Sequence, residues 1–454
     1  MVFKGNHDNR ISGLTGERLP FLLLLAAGMM EFLLIVVERK LYYLGYYLAE
    51  TYLVVPCLLF LGYVLRGSLS AFAGKRLLLA AAAVAWFMIA QLFHKISGME
   101  SHPMATVFFV YLMGFPFAAL TEDRENTGIR LMGRLLLAAS LVLVGYAVIL
   151  LLDLVPQSLR DNIFWDGARL TVLWHPNVAA SYFMIGIGFA AAFYLQAKKP
   201  VVKILLILAI LGQLLAMALT NCRTTLLLTG MLLVGILFLQ IFDKIRAKYS
   251  WKMNKKWKQI LLLAMILLLI VVICFLMAGK LYRWNNDRLA GGTDEILQGD
   301  NMQGSLLEDL STLNGRTGIW KSALTAIRND KKLALWGTEY VGTMISIYNS
   351  FSVVHSHNSW IEALMRMGLP GLLISLVFTA VAVWSAVRLI LDQNTELWKK
   401  VIALTTVCIM GAGFLEPYLF ITNVYYHVTD FVFFFFTGYL DYWSSSLPSN
   451  KKEI

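Results

Sequence analysis

Apolar residues run through this chain in long blocks, separated by short polar clusters. Twelve blocks are long enough, or nearly so, to cross a hydrocarbon core of about 30 Å. They cover residues 19–37, 44–65, 77–93, 104–120, 131–152, 177–196, 201–220, 224–242, 259–279, 369–391, 401–420 and 428–443. The pattern predicts an all-α, polytopic membrane protein with about 12 transmembrane helices. One long polar segment, residues 281–356, interrupts it. Asn285 to Ser305 is rich in Gly, Asp, Asn and Gln and reads as loop. Further on, Ile319, Ala323 and Ile327 recur at four-residue spacing, with Trp320 and Leu324 beside them. That spacing predicts an amphipathic helix, with Asn314 as its N-cap. Such a helix can lie at the membrane interface with its apolar face in lipid.

Charge fixes the orientation. Only 15% of residues are charged, against about 25% in soluble domains. Placing the N-terminus in the cytoplasm puts 24 of the 39 Lys and Arg on the cytoplasmic side. Nine of the other 15 lie between Lys280 and Arg366, so the short outer loops hold few. This is the positive-inside pattern, and it predicts cytoplasmic termini and an external 281–356 loop. The net charge of +11 therefore reads as topology and contact with membrane lipids, with no nucleic acid partner. The first apolar block is too long for a cleavable signal peptide and lacks a clear small-residue cleavage site. Cys57, Cys222, Cys274 and Cys408 form no CxxC, so neither a disulfide framework nor a zinc motif is expected. No Asp-x-Asp occurs, and no metal site or cofactor is expected.

Four segments follow. Residues 1–160 are N-terminal membrane helices, and residues 161–280 are membrane helices carrying His175-Pro176-Asn177 and Arg223. Residues 281–368 form the large external loop with Arg316 and the histidines. Residues 369–454 are C-terminal membrane helices and a cytoplasmic tail.

The candidate chemistry sits at the outer boundary. His355 and His357 flank Ser356 where the polar loop meets an apolar block. They read either as exposed loop residues or as acid–base groups working near neutral pH. Gly368-Leu369-Pro370-Gly371 lets the chain turn before the next block. Arg223 follows a very short outer turn. It is either a snorkelling interface arginine or a clamp for phosphate, which guanidinium binds through two parallel hydrogen bonds. Arg316 is expected at the start of the amphipathic helix, as a solvated arginine or as an addition to the helix-end anion site. His175 is a helix cap or a site residue. Glu31 and Glu416 are acids inside apolar blocks, hence functional candidates unless paired with a buried base.

Taken in order, these pieces resemble the O-antigen ligase and O-antigen polymerase superfamily over roughly residues 165–420. His175-Pro176-Asn177 opens a span, as that family's Pro-Asn element does. Arg223 with Leu227 is similar to its Arg-x-x-x-Leu element, and Gly315-Arg316 with Trp320 to its Gly-Arg-x-x-x-Trp element. Leu335-Trp336-Gly337 sits where the family often has a glycine turn. His357-Asn358, then nine residues, then Gly368 and Gly371, is similar to its His-Asn…Gly-x-x-Gly signature. His355 breaks that spacing, because position 366 is Arg.

The resemblance implies a membrane glycosyltransferase of GT-C-like type. The donor would be a glycan on undecaprenyl diphosphate. The acceptor would be a sugar hydroxyl on a glycan or lipid carrier. His357 would be the catalytic base, and Arg223 and Arg316 would bind the diphosphate without a metal. His355, His175, Asn177, Asn358, Arg169 and Arg288 are secondary candidates. The site would face outward from a bacterial cytoplasmic membrane, in surface polysaccharide synthesis. The rival reading is a transporter or flippase of lipid-linked glycans, for which repeats and interrupted helices are expected.

Overall fold

A computed structural model describes residues 71–94, 107–152, 154, 165–166, 169–170, 176–248, 316–349, 353–420 and 427–447. The apolar blocks at 19–37, 44–65 and 259–279 lie outside the described residues, as do Glu31, His175, Arg288 and Asn314. The helices are α1 (Ala71–His94), a π-helix (Phe108–Gly114), α2 (Phe117–Leu120), α3 (Thr127–Leu151), α4 (Pro176–Gln196), α5 (Pro200–Leu219), α6 (Arg223–Lys248), α7 (Arg316–Asn329), α8 (Lys331–Trp336), α9 (Val341–Ser346), α10 (Ser359–Leu391), α11 (Leu397–Gly413) and α12 (His427–Ser445). The one departure from all-α among the described residues is a small antiparallel pair, β1 (Trp165–Asp166) with β2 (Arg169–Leu170).

Six of these helices are long and apolar enough to cross a membrane: Gly74–His94, Thr127–Ile149, Pro176–Gln196, Pro200–Leu219, Arg223–Phe242 and Ser359–Leu391. The chain is thus a helical, multi-pass membrane protein. The block at 104–120 is not one helix, because the π-helix ends at Gly114 and Pro116 stands before α2. Proline supplies no backbone N–H and crowds the turn before it, so a continuous helix breaks there. The block at 401–420 also ends early. α11 stops at Gly413, and Glu416 falls in the turn beyond it.

Burial separates the inner helices from the outer ones. α4 is buried from Pro176 to Ala192. It packs against α3, α5, α6 and α11. α12 is buried without a break from Thr429 to Leu440. α5 does the opposite with a still more apolar sequence: Val201, Leu205, Leu208, Leu211 and Leu215 are exposed. They recur at three- and four-residue spacing and form an outward stripe of the kind lipid tails cover.

Turns and caps gather at two ends of the bundle. One end brings together β2, the starts of α4, α7 and α10, the α5–α6 turn and the segment after α11, through Arg169–Thr220, Asn177–Glu416 and Arg316–Glu416 contacts. The other joins the starts of α1 and α3, the α10–α11 turn and the end of α12, through Arg76–Asp441, Trp443–Asn126 and Arg130–Trp398 contacts.

At the first end α7, α8 and α9 form a cap. Ile319, Ala323 and Ala326 of α7 pack with Leu333, Val341, Ile345 and Met365. The apolar face of α7 is therefore covered by protein, and the expectation that lipid covers it is corrected. The physical reason is the pair of short helices behind it, which bring their own apolar residues.

α10 is two helical pieces. Gly368 breaks it with φ 67° and ψ −168°, in the left-handed region that glycine tolerates. Its backbone lies on that of α8: a Cβ on Gly368 would meet the Leu335 carbonyl oxygen at 2.1 Å, and one on Gly337 would meet that of Arg366 at 2.4 Å. Pro370 follows the break at the start of the second piece, where its missing N–H leaves no bond unmade. Residues 369–391 then extend about 34 Å, enough to cross a bilayer core. The expected turn at Gly368-Leu369-Pro370-Gly371 is thus a sharp helix break.

Candidate active site

The site is built around Glu416. Its side chain is only 2% exposed. Such a carboxylate needs compensation, because burying an unpaired charge is strongly unfavourable. Three groups supply it. Arg316 Nη2 lies 2.5 Å from Oε1, and Asn177 Nδ2 donates to the same oxygen at 2.6 Å. His357 Nδ1 lies 3.3 Å from Oε2. One oxygen is thus held by an arginine and an amide, and the other faces a histidine.

Each partner is placed by its own element. Arg316 opens α7. Asn177 follows Pro176 at the start of α4, and its carbonyl accepts from the Tyr418 hydroxyl at 2.8 Å. Arg169 on β2 ties the α4 start to the α5–α6 turn: Nη2 donates to Asn177 Oδ1 at 3.1 Å and Nε to the Thr220 carbonyl at 3.0 Å. Arg223 opens α6 three residues after Thr220, at this same end of the bundle. Its side chain is not among the three gathered on Glu416.

The histidine loop is held from several sides. Asn358 caps α10, accepting from the N–H groups of Trp360 and Ile361, while its own amide donates to the Phe414 carbonyl at 3.0 Å. This assigns Asn358 a helix-capping role. Glu362, fully buried, accepts the Ser356 N–H at 2.7 Å through Oε2 and pairs with Arg366 at 2.9 Å through Oε1. Trp320 Nε1 donates to the Ser356 carbonyl at 3.0 Å. Both sides of Ser356 are therefore fixed. His357 adopts φ 52°, which a β-carbon makes unfavourable. These bonds hold it there, and strain of this kind clusters at functional sites.

The two imidazoles lie together, with ring centroids 4.1 Å apart. The His357 backbone N–H donates to His355 Nδ1 at 3.3 Å. Donor atoms of His355, His357 and Glu416 all lie within 4.8 Å of one another, a grouping able to hold a metal ion. The sequence offered no such trio, because Glu416 is about 60 residues away along the chain.

The structure thus gathers His357, Arg316 and Asn177 directly on Glu416. It adds Arg169 through Asn177 and His355 through His357. Glu416, central to the arrangement, has a sequence signal only as an acid in an apolar block. Glu362 has none.

No curated protein matches the chain. Residues 206–376 match the family model described as O-antigen ligase. That stretch holds Arg223, Arg316, His355, His357 and Asn358, while Arg169, Asn177 and Glu416 lie outside it. Over that stretch the chain is similar to the O-antigen ligase family, which supports the O-antigen ligase and O-antigen polymerase resemblance and a membrane glycosyltransferase-like role in surface polysaccharide synthesis.

Proposed function

We propose that this protein moves a glycan from undecaprenyl diphosphate to a sugar hydroxyl on a second, lipid-carried glycan. Transfer takes place at the outer face of the cytoplasmic membrane, without a metal and with inversion. The observation that carries this reading is one buried carboxylate, Glu416, in contact with both a histidine and an arginine at one end of a membrane bundle.

The chemistry follows from that contact. Glu416 favours the Nδ1–H form of His357, leaving Nε2 to accept a proton. Nε2 takes the acceptor hydroxyl proton as the oxygen attacks the anomeric carbon. Glu416 then steadies the imidazolium, as an orienting carboxylate does in hydrolytic triads. The anomeric C–O bond to the diphosphate breaks as the new one forms, and negative charge grows on the leaving group. Arg316 and Arg223 supply positive charge and paired N–H donors to it. Arg316 has five donors, and the contact with Glu416 uses its Nη2 end. An open groove on α7, between Trp320, Lys321, Leu324 and Arg328, starts beside the histidine loop and suits a glycan approaching from water.

The test is transfer by purified protein in lipid vesicles supplied with a lipid-linked glycan. Longer glycan and free undecaprenyl diphosphate in equal amounts are expected. Glycan crossing the bilayer with no new linkage would overturn the reading in favour of a flippase. Outward orientation is tested separately. A cysteine placed at Gln303 should label in intact cells, and labelling only after permeabilisation would reverse the assignment.

A further inference from the structure

The two carboxylate oxygens of Glu416 are used differently. Oε1 is occupied by Arg316 and Asn177. Oε2 faces the imidazole of His357, and that of His355 lies beside it with the ring centroids 4.1 Å apart and the planes tilted by 58°. Two imidazoles and one carboxylate oxygen therefore converge within 4.8 Å. The contacts now joining them are long: 3.3 Å from His357 Nδ1 to Oε2 and 3.3 Å from the His357 N–H to His355 Nδ1. An ion that took these donors would displace these two long hydrogen bonds. Both rings are partly open to solvent, so an ion has access.

From this geometry we infer that His355, His357 and Glu416 form a binding site for a zinc-class divalent ion, and that the ion switches transfer off. The inhibitory part rests on the proposed role of His357 as base.

The donor set selects the ion. Imidazole suits zinc, copper and nickel, whereas magnesium and calcium demand oxygen ligands. The Arg316 guanidinium sits on the same carboxylate and repels any cation. Only an ion that gains strongly from two nitrogen ligands offsets that repulsion. Magnesium, with one carboxylate oxygen and an adjacent arginine, does not.

Inhibition follows whichever ring nitrogen the ion takes. On Nε2 of His357 it occupies the lone pair that would accept the hydroxyl proton. On Nδ1 it removes the hydrogen bond to Glu416 and the remaining nitrogen holds its proton. In both cases the base is lost.

The experiment uses full-length purified protein and two readouts. Equilibrium dialysis against zinc measures binding without turnover, and the transfer assay measures inhibition. One zinc per protein chain is expected, with inhibition over the same zinc range and none from equal magnesium. His355→Ala should need about a hundredfold more zinc for both effects, each scaled to that variant's own rate. His355→Cys should restore tight binding, because thiolate is a zinc ligand, while His355→Gln should not. That pair separates lost coordination from a disturbed loop. No stoichiometric zinc, or equal sensitivity in wild type and His355→Ala, overturns the site. Zinc-dependent activation overturns the inhibitory role. Stoichiometric zinc lost in His355→Ala, in a protein that shows no transfer, leaves the site standing and brings down the transferase reading instead.

Discussion

The two ends of the bundle hold similar residue types to opposite effect. At the end away from the candidate site, the charged and polar groups are bound into the packing. Arg76 pairs with Asp441 and also donates to Ser445 Oγ. Asp123 accepts the N–H groups of Thr127 and Gly128 and the Tyr439 hydroxyl. Trp443 donates to Asn126, and Arg130 and Lys399 lie over the Trp398 ring. These contacts join α1, α3, α11 and α12. At the other end, one carboxylate compensates Arg316 and touches a histidine that is 29% exposed on a strained loop. The first set uses charge to fix helices to one another. The second holds charge beside water, where a substrate can meet it. Composition alone does not distinguish them; the conformation and access of the histidines do.

The comparison breaks most sharply at His357. His357→Ala should lower turnover by about 10²–10⁴-fold, the usual contribution of a general base. Membrane insertion and thermal stability should change little, since its contact with Glu416 is long and partly exposed. His355→Ala should be milder. Complementation of a deletion strain, with long-chain glycan read on a gel and protein level by blot, checks both. A fully active His357→Ala with a dead His355→Ala moves the base to His355. Two active variants return the reading to transport.

The arginines come next. Arg316→Ala removes the partner of a buried carboxylate, which costs about 3–5 kcal/mol in stability as well as activity. Arg316→Lys is the cleaner variant: it keeps the charge but loses the planar fork, so partial activity in folded protein is expected. Arg223→Ala should be severely impaired and Arg223→Lys partly active. Lysine variants with wild-type turnover would show that a point charge suffices and that paired hydrogen bonding to diphosphate is not the arginines' role.

How far the sequence went follows from the same contrast. Apolar periodicity located α1, α3, α4, α5, α6 and the second half of α10, because a membrane helix writes its length directly into the chain. It missed the π-helix break, since Phe108 to Gly114 is as apolar as any helix, and the break depends on Pro116 and packing. His357 and Arg316, which the structure brings to Glu416, stand in local motifs that a sequence can display; Arg223 stands in a similar motif but is not gathered there. Glu416 was legible only as an out-of-place acid. Its partners at 177, 316 and 357 are far along the chain, and no spacing rule joins them. The cover over α7 was hidden for another reason: α8 and α9 are six-residue helices, too short to show a period.

The structural end should respond in stability alone. Asn126 accepts from the buried Trp443 indole at 2.7 Å and sits at φ 58°, which asparagine tolerates better than alanine. Asn126→Ala leaves that indole N–H without its partner, for about 1–3 kcal/mol. A lower melting temperature in detergent is expected, with unchanged turnover per folded molecule. Turnover lost in protein that melts normally would tie this end to the chemistry and erase the distinction.

The smallest expected effect is none. If arginines carry the charge that stabilises the leaving diphosphate, that charge cannot be removed by a chelator. Turnover of purified protein should therefore survive EDTA. The alternative places a divalent ion against the diphosphate, as in transferases that hold magnesium between two carboxylates. The candidate site is poorly made for that, with one carboxylate oxygen already shared by Arg316 and Asn177 and two imidazoles on the other side. Unchanged turnover, or a modest rise as trace zinc is stripped, agrees with arginine-borne charge. Loss on chelation, restored by magnesium or manganese, would move the decisive positive charge from the side chains to an ion and overturn the mechanism.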